Sequence, residues 1–308
     1  MAITWIDAGV LRKIGGSGLS LCRLSTPAGE IDSLQADSLP GLIQALGYLK
    51  YRLSGSTFLR GQSSLYEGKL QPSLMRGARK RQGRDEKVER FVSQVAAWPC
   101  DGSKHRTVRC PVKLGRDVSR DSLLGSGVPH YAAEPLLQHY GIRTRWLDVV
   151  DNIWIALWFA CHHFTTEGRY LHVVKRNIHD AGEDYVYVLS ITLEGLGATQ
   201  ECPGLWLFPE KGRVIDLRVA APSYYVRPHA QHGYLIRPHA MEGTGLTVAA
   251  IRVPLMRALE WLGSSVILSP FGIYPPATVD DGYRRLLDRF RHDEFQELGT
   301  ISVVGPGY

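Results

Sequence analysis

The sequence predicts an α+β fold, on three observations. Helical apolar spacing is concentrated between residues 38 and 164, and short strand-like runs follow from residue 170 onward. The two kinds of segment do not alternate regularly, which argues against a doubly wound sheet. With 308 residues, 44% of them hydrophobic, the chain can bury a large core.

Each element has a local reason. Ser38-Leu39-Pro40 followed by Leu42, Ile43, Ala45, Leu46 and Leu49 reads as a capped helix with proline in its first turn. Ser56 to Leu59 is a short strand that delivers Arg60 and Gly61. Residues 85–98 place apolar groups at 88, 91, 92, 95 and 98, a helical period. Cys100 to Gly127, rich in glycine, serine and charge, reads as a long surface loop or lid. Glu134 to Tyr140 is a short helix stopped near Gly141, and Asp151 is expected to cap a helix over Asn152 to Phe164. Strands are expected at Tyr170 to Lys175, Tyr185 to Thr192, Val214 to Leu217, Gly233 to Ile236, Thr247 to Val253 and Ser265 to Ser269. Asp280 to Phe290 is an amphipathic helix, and Ile301 to Val304 is a candidate closing strand. The ten-residue echo of Arg227-Pro228-His229-Ala230 in Arg237-Pro238-His239-Ala240 is too short to mark a repeat architecture.

A charged fraction of 21% and a mean hydropathy of −0.12 describe a globular protein. The longest apolar run, Ile153 to Cys161, is too short to cross a bilayer, so no membrane partner is expected. The N-terminus shows no secretory pattern, and five irregularly spaced cysteines do not read as a disulfide framework, so a cytoplasmic location is expected. Charge is uneven: residues 52–120 carry 16 Lys and Arg against 6 Asp and Glu, a net of +10 on a chain of net +6. The densest stretch, Arg76 to Arg90, contains Arg79, Lys80, Arg81 and Arg84. It is either a footprint for nucleic acid or a solvated helix face.

The most informative stretch is Leu136-Leu137-Gln138-His139-Tyr140-Gly141-Ile142-Arg143-Thr144-Arg145-Trp146-Leu147-Asp148, which runs into the apolar Ile153 to Ala160. Charged and hydrogen-bonding groups at the edge of a core cost desolvation unless they are paired, so such an entry reads as a site mounted on a rigid element. Arg60, after a strand and before a glycine, offers a planar fork of donors suited to pyrophosphate. The other reading is an internal pairing with Asp148 or Glu67. Gly61 would let a ligand approach the backbone. His139 and Tyr140 present ring faces and polar tips, or pack between helix and sheet. Arg145 and Asp148 read as an internal ion pair, with Asp148 equally able to activate a nucleophile.

Phe58-Leu59-Arg60-Gly61-Gln62, the central stretch with its apolar helix, and Ala230-Gln231-His232-Gly233-Tyr234 occur in that order. Together they resemble the FRG domain from about Glu30 to Phe290. The division that follows is an N-terminal extension over 1–29 and an FRG domain over 30–308. FRG domains are more remotely similar to NAD-dependent ADP-ribosyltransferases, so the resemblance implies packed β-sheets with flanking helices and NAD as substrate. It implies that Arg60 holds the pyrophosphate, that His139, Tyr140 and Thr144 hold the nicotinamide riboside, and that Gln231 stands at the late catalytic Glu of arginine-specific transferases. Glutamine brings no negative charge there, which tells against transfer to arginine. Glu242 is a possible replacement.

Other chemistries lack their signatures. There is no G-x-G-x-x-G after a strand, no Walker A sequence, no G-x-S-x-G and no H-E-x-x-H. Cys100, His105 and Cys110 lack any C-x-x-C pair, and His162-His163 reads as a packed helix end, so no metal site is expected. The expected function is mono-ADP-ribosyl transfer from NAD to nucleic acid, RNA before DNA. The resemblance implies a bacterial toxin or antiphage effector, held by an antitoxin protein. The alternative is a non-catalytic module that senses nucleotides or nucleic acid.

Overall fold

The computed structural model describes residues 18–26, 29–52, 55–65, 70, 72–75, 84–96, 128–168, 170–177, 185–193, 198–208, 212–238, 247–289 and 298–304. In chain order the elements are β1 (Leu19–Thr26), β2 (Gly29–Ala36), α1 (Leu39–Arg52), β3 (Ser56–Gln62), a 3-10 turn (Ser73–Met75), α2 (Arg84–Ala96) and α3 (His130–His139). Then come β4 (Leu147–Val150), α4 (Ile153–Ala160), β5 (His162–Glu167), β6 (Tyr170–Lys175), β7 (Tyr185–Leu193), β8 (Thr199–Cys202), β9 (Leu205–Phe208) and β10 (Gly212–Asp216). The rest are α5 (Leu217–Ala220), α6 (Val226–Ala230), β11 (Gly233–Pro238), β12 (Thr247–Pro254), α7 (Leu255–Leu262), α8 (Pro270–Ile273), α9 (Asp281–Arg289) and β13 (Val303–Val304).

Ten strands form one sheet in the order β1-β2-β12-β7-β3-β4-β11-β10-β9-β8, and β13-β6-β5 form a smaller one. Every pairing is antiparallel except β2 with β12 and β6 with β13. Antiparallel neighbours need no crossover helix, so helices are free to gather on the faces. The result is α+β: large sheets flanked by helices. The expected strands at 170–175, 185–192, 214–217, 233–236 and 247–253 all form, within a few residues at their ends.

Period-two alternation decides what faces what. On β3, Phe58 joins Leu147, Val149 and Ile191 on one side of the sheet. Leu59 points the other way, into the cluster built by α1, α4 and α7. The helix α4 buries Ile155, Ala156, Leu157, Trp158 and Ala160, so it is apolar nearly all round, as a core helix must be. A Leu157→Ala cavity there would cost roughly 2–5 kcal/mol. A third cluster joins α2, α3 and α9 to Ile215 of β10 and Leu235 of β11.

Several expectations are corrected. Asn152, not Asp151, caps α4: its side-chain oxygen accepts from the amides of Trp154 at 2.8 Å and Ile155 at 3.4 Å. Asp151 instead pairs with Arg218 and His232. The helix ends at Ala160, and His162–Glu167 pairs with β6 as a hairpin. Gly168, at φ +56, provides the left-handed turn between them. Ser265 to Ser269 is not a strand. Ser269 caps α8, accepting from Gly272 N at 3.1 Å, with Pro270 in the first helical position. The hairpin β1–β2 was not legible in the sequence. It edges the large sheet through β2, and β1 lies within residues 1–29.

Cys22 and Cys161 are not in a disulfide, whereas Cys202 is disulfide-bonded, which the cysteine spacing does not reveal. Among the described residues no helix is long and apolar enough to cross a membrane, and no group of three or more His, Cys, Asp or Glu could hold a metal. The expected loop at 100–127, with Cys100, His105 and Cys110, lies outside the described residues.

Candidate functional site

A cleft of about 280 Å³ opens where β3, β4 and the C-terminal end of α3 meet. Its polar wall is Arg60, Gln62, Gln138, His139, Asp148 and Gln231, and its ring wall is Phe159, His162, Phe164 and Tyr274. Leu59 pairs with Val150 between β3 and β4, which brings Arg60 beside Asp148. The Arg60 Nη1 donates to the Asp148 carbonyl oxygen at 2.5 Å.

The chain delivers His139 at the last position of α3. Gly141, at φ +112, lets the backbone leave the helix there, and a Cβ would stand 2.6 Å from the Thr300 carbonyl. Gln138 Nε2 donates to Asp148 Oδ2 at 2.6 Å, and Thr144 Oγ1 donates to Gln138 Oε1. The same Thr144 hydroxyl accepts from Trp146 N at 3.2 Å. Thr144 is fully buried and does not line the cleft. It orients Gln138, which orients Asp148.

Gln231 Nε2 donates to the Ile273 carbonyl at 3.0 Å, which turns its Oε1 toward His139 Nδ1, also at 3.0 Å. The acceptor at Nδ1 assigns the proton to that nitrogen and leaves the lone pair on Nε2. Nε2 has no hydrogen-bond partner and stands 3.8 Å from Asp148 Oδ1. Burial pushes the His139 pKa below its ordinary value. Asp148 opposes the shift, Arg227 reinforces it and the Gln231 hydrogen bond opposes it. Burial thus favours the neutral imidazole, in which an acceptor faces a carboxylate: two acceptors placed to receive a proton donor. Gly233 makes room for the ring, because a Cβ would fall 2.5 Å from His139 Cε1. This is the physical sense of Gln231-His232-Gly233: one residue orients the imidazole and another yields space to it.

Behind the cleft, Arg227 is buried in a cage of rings. Its guanidinium carbon lies 4.4 Å from the centroid of Tyr140, 4.5 Å from Tyr283 and 5.1 Å from Tyr274. Its Nη1 donates to the His139 carbonyl at 3.0 Å. Tyr140 donates to Asp280 Oδ2 at 2.7 Å and stacks on Tyr283. Burial, helped by Asp280, raises its pKa well above normal.

Of the residues singled out in the sequence, Arg60, Gly61, His139, Asp148 and Gln231 share the cleft, while Tyr140 and Thr144 stand behind it in the core. Arg145 does not pair with Asp148. It is held by Glu134, through Nε at 3.0 Å and through Nη2, and by Glu89 at 2.9 Å. Gly61 has a packing reason: a Cβ there would collide with the Ala156 carbonyl and drive α4 off the sheet. Arg79, Lys80 and Arg81 lie outside the described residues, as do Glu67 and Glu242, and Arg84 opens α2. Sequence reasoning missed the ring wall. Phe159 and Phe164 lie 5.8 Å apart, and Phe164 lies 5.8 Å from Tyr274. Phe159 was absorbed into the apolar helix, Phe164 was assigned to the same helix, and Tyr274 follows an apolar run that read as a strand.

In a comparison with family models, residues 55–168 match the FRG domain. That segment holds Arg60, Gln138, His139 and Asp148, whereas Gln231 lies beyond it. The curated proteins give no match. The solved structures give none either.

Proposed function

We propose that this protein is an NAD-dependent mono-ADP-ribosyltransferase whose acceptor is a nucleic acid, RNA before DNA. The observation that supports it best is the convergence of Arg60, His139 and Asp148 on one cleft opposite a wall of aromatic rings. Arg60 supplies the cation for the pyrophosphate. Phe159, Phe164 and Tyr274 offer ring faces to the nicotinamide. In the reaction the bond from C1′ to the nicotinamide nitrogen breaks, and its electron pair leaves with nicotinamide. The acceptor forms the new bond to C1′, and its proton passes to the His139 Nε2–Asp148 pair. Asp148 supplies the negative charge that opposes positive charge developing at C1′. Gln231 has both ends of its amide engaged, so on this reading it is a positioning residue that acts through His139. The toxin or antiphage role, with an antitoxin partner and a cytoplasmic setting, belongs to the same proposal.

A second reading has its own support. The late position carries a buried glutamine whose hydrogen bonds are already made, so the same cleft could bind a nucleotide without turning it over. The two readings separate on one measurement: nicotinamide released from NAD by the full chain, with and without added RNA. Release that Asp148→Asn abolishes supports the transferase. Binding of NAD with no release, with every acceptor tried, favours the binding module.

A further inference from the structure

Arg237 on β11 stands directly opposite Arg213 on β10 in the antiparallel register. Ile215 and Leu235 point into the cluster under α2 and α3, and alternation puts Arg213 and Arg237 on that same face. Like charges directly opposite one another destabilise a strand pair, so the arrangement favours an anion placed between them. Burial first, then Arg145, then Arg213, push the Arg237 pKa below its ordinary value, with Glu134 and Glu89 opposing.

Among the described residues, the nearby carboxylates face other arginines than Arg237. Glu134 and Glu89 both bond Arg145. Glu201 Oε2 lies 3.9 Å from Arg213 Nε. Among the described residues, no hydrogen bond or ion pair is made by the Arg237 guanidinium. Arg237 is only partly buried, so its guanidinium is open to an anion from outside the chain. The helix packed over this rim, α2, opens inside the basic run, and its Arg90 is exposed. Residues 52–120 carry the net charge of +10.

We infer that Arg237 and Arg213 form a phosphate-binding site for the backbone of a single-stranded nucleic acid. A guanidinium presents two parallel donors to a phosphate, and the phosphate relieves the repulsion between the two cations. The site is separate from the cleft and needs no NAD; only the choice of polymer rests on the acceptor proposed above.

The test is fluorescence anisotropy of a labelled oligouridylate RNA with the full chain, without NAD, across a salt series. Arg237→Gln and Arg213→Gln should each weaken binding roughly tenfold, as for loss of one charge-assisted hydrogen bond. Each should also lower the slope of log affinity against log salt by about one. Arg218→Gln, whose arginine is already paired with Asp216 and Asp151, should change neither. Arg237→Gln should not lower Tm without RNA, since it removes a cation that lacks a partner. Should that variant fail to fold, Arg237→Lys replaces it, with the salt slope kept and affinity reduced. RNA affinity and salt slope equal to wild type in both glutamine variants would overturn the site. So would a lowered Tm in Arg237→Gln with unchanged RNA binding, which makes Arg237 a structural cation. Nicotinamide release from NAD without RNA is measured in the same variants. It stays at the wild-type level if this site and the cleft are independent, and its absence in wild type counts against the transferase alone.

Discussion

Gln231 Oε1 accepts from His139 Nδ1 at 3.0 Å, and the other end of the same amide is fixed on the Ile273 carbonyl. That relationship sets the tautomer of an imidazole that faces Asp148. A residue in a turn after α6 thereby controls the chemistry of a residue at the end of α3.

Gln231→Glu should therefore be worse than a loss of one hydrogen bond. The carboxylate has no donor for the Ile273 carbonyl, so one buried acceptor loses its partner at a cost of about 1–3 kcal/mol. The expected outcome is a lower Tm and a protonated His139, read from the imidazole nitrogen shifts by NMR. An unchanged neutral tautomer would remove Gln231 from its orienting role.

Gly233→Ala tests the same ring from its other side. The added methyl meets His139 Cε1 at 2.5 Å and Nε2 at 2.7 Å, so the buried ring must be displaced or the strand must shift. Overpacking of this kind costs about 1–3 kcal/mol. Thermal unfolding should show that loss, with NAD affinity reduced as His139 is displaced. Wild-type stability and affinity together would show that the ring can move.

Protonation of His139 sets a pH dependence with a definite sign. Its folded pKa lies below the ordinary 6.5, because burial disfavours the imidazolium. The unfolded chain then binds the proton more readily, so this contribution to stability is intact above 6.5. It is lost as pH falls from there through the folded pKa. Denaturant titrations between pH 7 and 5 should show wild type losing stability faster than His139→Gln, which cannot titrate. Parallel losses would place the effect on another group.

Arg227→Met removes the caged cation that depresses the same imidazole. The His139 titration should move upward, and the acidic limb of any activity profile should move with it. The loss of three ring contacts and of the bond to the His139 carbonyl should also cost stability, about 2 kcal/mol for a desolvated cation–π contact alone. NMR titration of the histidines in wild type and variant checks the direction. A His139 pKa that stays put or falls would assign its depression to burial alone.

Asp148→Asn keeps the shape of the carboxylate and its place beside Gln138 while removing its charge. Nicotinamide release should fall far more than NAD affinity, since a charge that matters in the transition state affects rate before binding. Equal losses in both would make Asp148 a binding group.

The sequence by itself determined the α+β class, most strand positions from residue 170 onward, and the cleft residues Arg60, His139 and Asp148. Those signals are local: apolar period, glycine stops, and polar groups held at the edge of an apolar helix. It did not show that Phe164 leaves the helix for a hairpin, since no glycine or proline stands between the apolar run Ile153 to Cys161 and Phe164, and strand pairing with β6 is what ends the helix. Nor did it show which partner each polar group takes. Arg145 sits three residues from Asp148 in sequence, yet it bonds Glu134 and Glu89. Tyr140 adjoins His139, yet faces the core, because successive helix residues project about 100° apart. Only the tertiary structure decided these. Hydrogen-bond partners and ring faces depend on which elements pack together, and Gln231, Gly233 and Tyr274 reach His139 and the cleft from strands and turns distant in the chain.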